Sequence, residues 1–190
     1  MEILIVGVIL VALMVYVSTK IKRSAAQAFE REMIETDDFS LVKPEGFISP
    51  VNEDSAHLFE AYSKDFGEDD EVLNVRQANV ELSARENADF QTACDAARRS
   101  FDNVRSEKML TDELGNQTAC LLEGDENRDE ASFRVFRKIA ASGSQPKIYD
   151  LKISILPAYL EQYAERAREM TDSFSLKEKT AVTEATAAAS

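Results

Sequence analysis

The chain begins with an apolar run that ends in a basic cluster. Residues 3–19 carry no charged side chain, and Lys20, Lys22 and Arg23 follow directly. A membrane-spanning helix needs about 20 apolar residues, so the run predicts a transmembrane anchor over residues 1–23, with its basic stop at the membrane surface. Because the positive charges lie only after the run, the pattern predicts a single-pass protein of the inner or cell membrane, with the N-terminus outside and the C-terminal domain cytoplasmic.

A cleaved signal peptide is the competing interpretation of this run. Signal peptides carry positive charge before the apolar core, whereas this chain has Glu2 there. The basic cluster instead separates the run from the A-x-A-like site at residues 26–28. Both features favour an uncleaved anchor.

Apolar residues recur at helical spacing in four later segments. Residues 24–34 predict a helical stalk, and residues 52–66 predict a short helix. Residues 87–104 and 157–174 have longer apolar stripes and predict two amphipathic helices. Between the first two segments, the prolines and glycine of residues 39–50 predict an extended linker.

The apolar period changes from 3.6 to 2 in the second half of the chain. Residues 117–122, 132–140 and 148–155 alternate apolar and polar side chains, and short polar turns join them. They predict a three-stranded antiparallel meander. The two amphipathic helices would cover its apolar face, which gives an α+β fold. The pattern of residues 72–82 does not decide between a strand and a helix.

These patterns divide the chain into four segments. The anchor covers residues 1–23, the helical stalk and extended linker cover residues 24–51, and the cytoplasmic α+β domain covers residues 52–174. Residues 175–190 lose bulky side chains and become rich in Ala and Thr, which predicts a disordered tail.

Charge excludes one class of partner. The formal net charge is -13 and the sequence pI is about 4.6. An acidic surface repels phosphate backbones, so nucleic-acid binding is not expected. The two cysteines, Cys94 and Cys120, fall on apolar stripes and are interpreted as small core residues.

The inventory of reactive side chains predicts no catalytic, cofactor or metal site. A zinc site needs three or four ligands in tetrahedral reach, and the chain has one His, His57, and two Cys distant from it in sequence. His57 is the only candidate general base of its kind, and beside Leu58 and Phe59 on a predicted short helix it is interpreted as a surface or rim residue. No glycine-rich phosphate loop is present.

A partial calcium-loop pattern lies between the first two predicted strands. Asp125, Asn127 and Asp129 match the first positions of an EF-hand loop. Glu130 stands where the turn needs Gly, and Phe136 stands where a bidentate Glu is needed. The segment is therefore interpreted as a solvated hairpin loop, with weak calcium or magnesium binding as the alternative.

A basic group on the middle predicted strand is the candidate partner-binding site. Arg134 and Lys138 alternate with Arg137, so the first two share the sheet face opposite the third. They predict docking of an acidic partner segment. The alternative is that all three pair with nearby Glu and Asp side chains.

Together these features predict a membrane-tethered, non-enzymatic protein-interaction domain, such as an adaptor, assembly factor or accessory subunit of a membrane complex. Its partners would be the lipid bilayer, through residues 1–23, and a membrane or membrane-proximal protein. The alternative is a membrane-anchored module that binds a lipid or another small hydrophobic ligand. An enzyme that uses scattered carboxylates with Mg²⁺ is the third hypothesis.

Overall fold

The computed structural model describes residues 13–20, 27–50, 56–68, 74–112, 116–128, 131–143 and 146–177. Two helices and ten strands build the folded part of these residues, and we number them in chain order. The helices are α1 (Phe90–Arg99) and α2 (Leu160–Ser173), and a 3-10 turn (Pro157–Tyr159) precedes α2. The strands are β1 (Glu32–Glu35), β2 (Phe39–Lys43), β3 (Phe47–Ile48), β4 (Phe59–Ser63), β5 (Ala78–Glu86), β6 (Asn103–Thr111), β7 (Gln117–Arg128), β8 (Ala131–Ser142), β9 (Lys147–Ile155) and β10 (Ser175–Leu176).

A seven-stranded antiparallel sheet forms the centre of the fold. Its strand order is β3-β4-β5-β9-β8-β7-β6. The three predicted strands are part of it as β7, β8 and β9, and they are neighbours as predicted. The predicted fold class is nevertheless wrong, because four further strands extend this meander and a second sheet of three strands, β1-β2-β10, lies beside it.

The two amphipathic helices cover opposite faces of the large sheet. Cys94, Ala97 and Phe101, on and just after α1, pack with the apolar side chains that β7 and β8 direct to that side. Tyr163 and Met170 of α2 pack with Leu151, Ile153 and other residues of the second face. The prediction placed both helices on one apolar face. Strand β9 shows why two faces are needed, because nearly all of its residues are buried.

The small sheet completes the layer that contains α2. Phe39 and Leu41 of β2 are buried in the same cluster as the inner face of α2. The backbone N–H of Val42 also donates to Ser173 Oγ at 3.0 Å. Residues 39–50, predicted as an extended linker, thus supply strands β2 and β3 and several core side chains.

Two segments predicted as helices contain strands. In residues 52–66 the described part forms β4, whose buried Phe59 and Ala61 alternate with half-buried neighbours. In residues 24–34, positions 32–34 belong to β1. Residues 72–82, left open between strand and helix, include the start of β5, which pairs with β9 along its whole length.

The structure contradicts the transmembrane anchor. Residues 13–20 are helical, but no helix among the described residues is long and apolar enough to cross a membrane. This finding overturns the prediction of a single-pass anchor over residues 1–23, and with it the predicted orientation and cytoplasmic location.

The basic stop is only partly described. Lys20 is helical and exposed, whereas Lys22 and Arg23 lie outside the described residues. Their role at a membrane surface depended on the anchor and stays a prediction.

Candidate functional site

Arg134 lies on the α2 side of β8 and is bound to two carboxylates of β7. Its Nε donates to Asp125 Oδ1 at 2.8 Å, and its Nη1 donates to Glu123 Oε1 at 3.3 Å. Burial alone would raise the pKa of Asp125, but the hydrogen bonds from Arg134 and Arg105 lower it below its usual value. Arg134 therefore neutralises acidic side chains of its own sheet.

Arg137 lies on the α1 side and forms a bidentate ion pair with Asp150. Its Nε donates to Oδ1 at 2.8 Å and its Nη2 donates to Oδ2 at 2.6 Å. Its Nη1 also donates to Ser100 Oγ, at the C-terminal end of α1, at 2.9 Å. Burial would lower the pKa of Arg137, but the hydrogen bonds and charge of Asp150 raise it above its usual value. The pair fixes α1 against β8 and β9.

Lys138 is buried under the C-terminal end of α2. Its Nζ donates to the carbonyl oxygens of Thr171 at 2.9 Å and Phe174 at 2.8 Å. The last carbonyls of a helix have no intrahelical donor, and a cation is favoured there by the helix dipole. Burial lowers the pKa of Lys138, and Asp172 opposes that effect. Lys138 thus caps α2.

The three predicted cations have the alternation that the sequence indicated. Arg134 and Lys138 are directed to the α2 side and Arg137 to the α1 side. Each of them already donates to side chains or carbonyls of the domain. Direct contact of these residues with a partner protein stays a prediction.

Two adjoining clefts lie on the α2 side, between α2 and the edge strand β6. The first encloses about 300 Å³ and the second about 370 Å³. We call them together the α2–β6 groove. They exist because α2 packs on β8 and β9 and leaves β6 and β7 uncovered on this face. The first cleft is lined mainly by Ser106, Lys108, Leu121, Glu123, Phe136, Arg168, Thr171 and Asp172, and the second by Leu110, Ala119, Lys138, Ala140, Asp172, Phe174 and Leu176.

The groove combines an apolar floor with two exposed cations. Leu121 and Phe136 form part of the floor. Exposed Lys108 lies on one wall and exposed Arg168 on the other, and among the described residues neither of them has an ion-pair partner. Arg168 contacts Phe136 instead, with its guanidinium 5.5 Å from the ring centroid. Glu123, which is bound to Arg134, and Asp172 line the same cleft, so the groove carries charges of both signs and is less acidic than the chain as a whole.

Sequence reasoning missed both exposed cations of the groove, Lys108 and Arg168. Lys108 lies in an edge strand whose residues are nearly all exposed, so no alternation marked the strand. Arg168 is on the polar face of α2, a helix that the sequence located correctly. The sequence does not show, however, which residues lie next to that face. The available signal was the alternation of β7 and β8, which places Leu121 and Phe136 on one face.

The remaining candidate groups have structural roles. Asp125 and Asn127, interpreted as part of a solvated loop, are paired residues of β7, and Asp129 lies outside the described residues. Cys94 and Cys120 are free and buried, and burial raises the pKa of Cys94 to about 12. Within the described ranges, no three His, Cys, Asp or Glu side chains are placed to hold a metal ion.

Comparison with known proteins adds evidence on the fold. No family model and no curated protein matches the chain. LpqN of Mycobacterium tuberculosis, involved in cell envelope biogenesis, is similar in structure, with a TM-score of 0.51 and 10% identity over 78% of this chain and 91% of LpqN. At 10% identity this likeness shows a shared fold alone.

Two further solved structures are similar at lower scores. The Ran-binding protein Mog1p of Saccharomyces cerevisiae has a TM-score of 0.46 and 14% identity over 79% of this chain and 97% of Mog1p. Cyanobacterial PsbP (CyanoP) from Synechocystis sp. PCC 6803 has a TM-score of 0.45 and 12% identity over 78% of this chain and 92% of its own.

Proposed function

We propose that this chain is a protein-binding domain without catalytic chemistry of its own, in the manner of an adaptor, assembly factor or accessory subunit. The observation that carries the proposal is the α2–β6 groove, an open channel with an apolar floor and two exposed cations on opposite walls, Lys108 and Arg168. The occupant we infer is a partner segment that combines acidic and apolar side chains.

The physical argument concerns burial and charge together. Apolar side chains that leave water on the floor contribute about 25 cal/mol for each Å² buried. Carboxylates beside Lys108 and Arg168 would add orientation and specificity more than affinity. The net charge of -13 opposes the approach of an acidic partner at long range. At physiological salt concentration, however, that repulsion decays over a distance of about 8 Å.

A small hydrophobic ligand is the second candidate occupant. One observation favours it: the cleft of about 370 Å³ has Leu110, Ala119 and Ala140 among its lining residues. Ligand pockets span about 300–1,000 Å³ and bury most of the ligand's surface. The groove is open along one side and has charged walls, which suits a polypeptide segment better than a lipid chain.

Site-specific photo-cross-linking tests the proposal. A photoreactive side chain is placed at Lys108 or at Arg168, and a matched control is placed at Arg99, which is exposed on α1 at the opposite face. We expect one and the same protein to be cross-linked from both groove positions in an extract of the native source, and not from position 99.

Charge reversal separates a specific partner from an adventitious one. The double variant Lys108→Glu/Arg168→Glu should weaken binding of that protein by about tenfold or more, because each reversal replaces attraction by like-charge repulsion. Arg99→Glu should leave it unchanged. Cross-linking that is equal at all three positions, or insensitive to the double reversal, would overturn the proposal. Transfer of the photoreactive label to a small apolar molecule would support the second candidate.

A further inference from the structure

Strand β6 leaves an extended hydrogen-bonding edge open. It is the last strand of the seven-stranded sheet, and its described ladder partner is β7 alone. It has nine residues, eight of which are exposed, whereas the opposite edge strand, β3, has two residues. Met109 is 52% exposed on this edge. Long open edges are templates for pairing with another chain.

The first half of β6 is protected against such pairing. The register with β7 shifts between Val104 and Ser106, which marks a β-bulge at Arg105. The Arg105 side chain is bound to Asp125 at 2.8 Å. A bulge bends the strand and interrupts its regular edge, so the open part that can pair begins after Ser106.

The ladder shows which backbone groups of the second half point outward. The N–H of Asp112 donates to the carbonyl of Gln117 at 3.0 Å, so Asp112 faces β7. In an antiparallel pair such inward residues alternate with outward ones. The backbone groups of Glu107, Met109 and Thr111 therefore point away from β7.

We propose that this edge pairs with the same edge of a second copy of the chain. In this pairing, residues whose backbone groups point away from β7 must lie opposite one another. This condition allows only a few antiparallel registers. One of them places Leu110 opposite Leu110 at the two-fold axis, Met109 opposite Thr111, and Lys108 opposite Asp112. Lys108 has no ion-pair partner among the described residues, so this register supplies two complementary charge pairs, one on each side of the axis.

The neighbouring registers are less favourable. Moving the axis by two residues toward the bulge places Lys108 opposite Lys108, and moving it by three places Glu107 opposite Glu107, both like-charge contacts. The intermediate register, with Met109 at the axis, places Lys108 opposite Leu110 and has no complementary charge pair among the described residues. Among positions that the structure describes, charge complementarity thus favours the register with Leu110 at the axis.

The pairing joins two large sheets into one and places both α2–β6 grooves on the same face. The argument for this pairing does not use the function proposed for the groove, although Lys108 lines the groove and also takes part in the pairing. The contact is short, so we expect a weak dimer, with Kd from about 10 μM to 1 mM. Its existence is tested by analytical ultracentrifugation at ~150 mM salt, where the repulsion between two copies is screened.

Cysteine cross-linking tests the register. Residues opposite each other at a non-hydrogen-bonded position have Cα atoms about 4.5 Å apart, within disulfide range. Leu110→Cys should therefore form a disulfide-linked dimer on mild oxidation. Thr111→Cys is the matched control, because it would face Met109 and not its own copy; a far-ultraviolet CD spectrum confirms that each variant is folded.

Charge exchange supplies an independent measurement. Lys108→Asp and Asp112→Lys should each weaken dimerisation by about three- to tenfold, because each puts like charges opposite one another. The double exchange should restore it. A monomer at every concentration up to about 1 mM, together with no more cross-linking from Leu110→Cys than from Thr111→Cys, would overturn the proposal. Dimerisation without rescue by the double exchange would overturn the register.

Discussion

The ion pair between Arg137 and Asp150 allows the packing of α1 to be tested quantitatively. Both side chains are 11% exposed, and Asp150 is the diagonal cross-strand neighbour of Arg137, since Arg137 pairs with Lys152 and Ile139 with Asp150. Two hydrogen bonds of 2.8 and 2.6 Å join the groups. Asp150→Ala removes the acceptor of both bonds and leaves a guanidinium without its countercharge in a position that water barely reaches.

Loss of one partner of a buried ion pair costs about 3–5 kcal/mol. Because the pair retains some contact with water, we expect the lower end, about 3 kcal/mol of the free energy of unfolding. For a chain of this length, each kcal/mol shifts Tm by about 2–4 °C, so Asp150→Ala should lower Tm by about 6–12 °C. Urea unfolding followed by circular dichroism measures the free energy, and a thermal scan measures Tm.

Two variants make the result specific to the unpaired charge. The double variant Arg137→Met/Asp150→Leu buries no charge and should regain most of the loss, because replacing a buried pair by apolar side chains is often nearly neutral. Glu169→Ala is the exposed control; it breaks the pair with Arg31, whose side chain is 63% exposed, and should cost less than about 1 kcal/mol. The reasoning is refuted if Asp150→Ala costs no more than Glu169→Ala, or if the double variant is as unstable as the single one.

Three further predictions concern packing, capping and acid stability. Gly124→Ala should destabilise the domain by about 1–3 kcal/mol in urea unfolding, because a Cβ would lie 2.5 Å from a backbone oxygen of β6 and 2.6 Å from the Phe101 ring. Lys138→Met should lower the free energy of unfolding by about 1–3 kcal/mol in the same assay, since the buried carbonyls of Thr171 and Phe174 lose their donor. The pKa of Asp125 is lowered in the folded state, so its contribution is present above its usual pKa of 3.8 and is lost as the pH falls below it. Tm should therefore fall between pH 5 and pH 2 by less in Asp125→Asn than in the unchanged chain, and an equal fall in both would exclude Asp125 as a cause.

The parts of the fold that the sequence revealed are those with one clear period. Apolar side chains recur at every second position in β7, β8 and β9, and α1 and α2 have regular apolar stripes. Phe59 and Ala61 of β4 were misassigned because Leu58, Phe59 and Tyr62 also fit a helical stripe, and a short apolar run fits either period. Strand β6 was missed because an exposed edge strand needs no apolar face.

The candidate groove could not be predicted from the sequence, because it depends on which part of the large sheet α2 leaves uncovered. The three cations on β8 were visible in the sequence, but their partners come from distant positions: Asp125 from β7, Asp150 from β9, and the carbonyl of Thr171 from α2. Sequence pattern places a residue on a face, and only the tertiary packing decides whether its charge is satisfied inside the domain.

Both proposed surfaces have one geometric cause. Neighbouring strands are about 4.8 Å apart, so seven strands span about 29 Å, whereas one helix with its side chains is about 10–12 Å wide. On the α2 side, the helix and the small sheet cover the part of the sheet around β9 and β8, and the described residues leave β7 and β6 open. An uncovered sheet face gives the groove, and an unpaired last strand gives the edge. An added helix over β6 and β7 would close the groove but leave the edge intact, so Arg168→Glu, on α2 and away from the edge, should weaken binding in the groove and leave dimerisation at β6 unchanged.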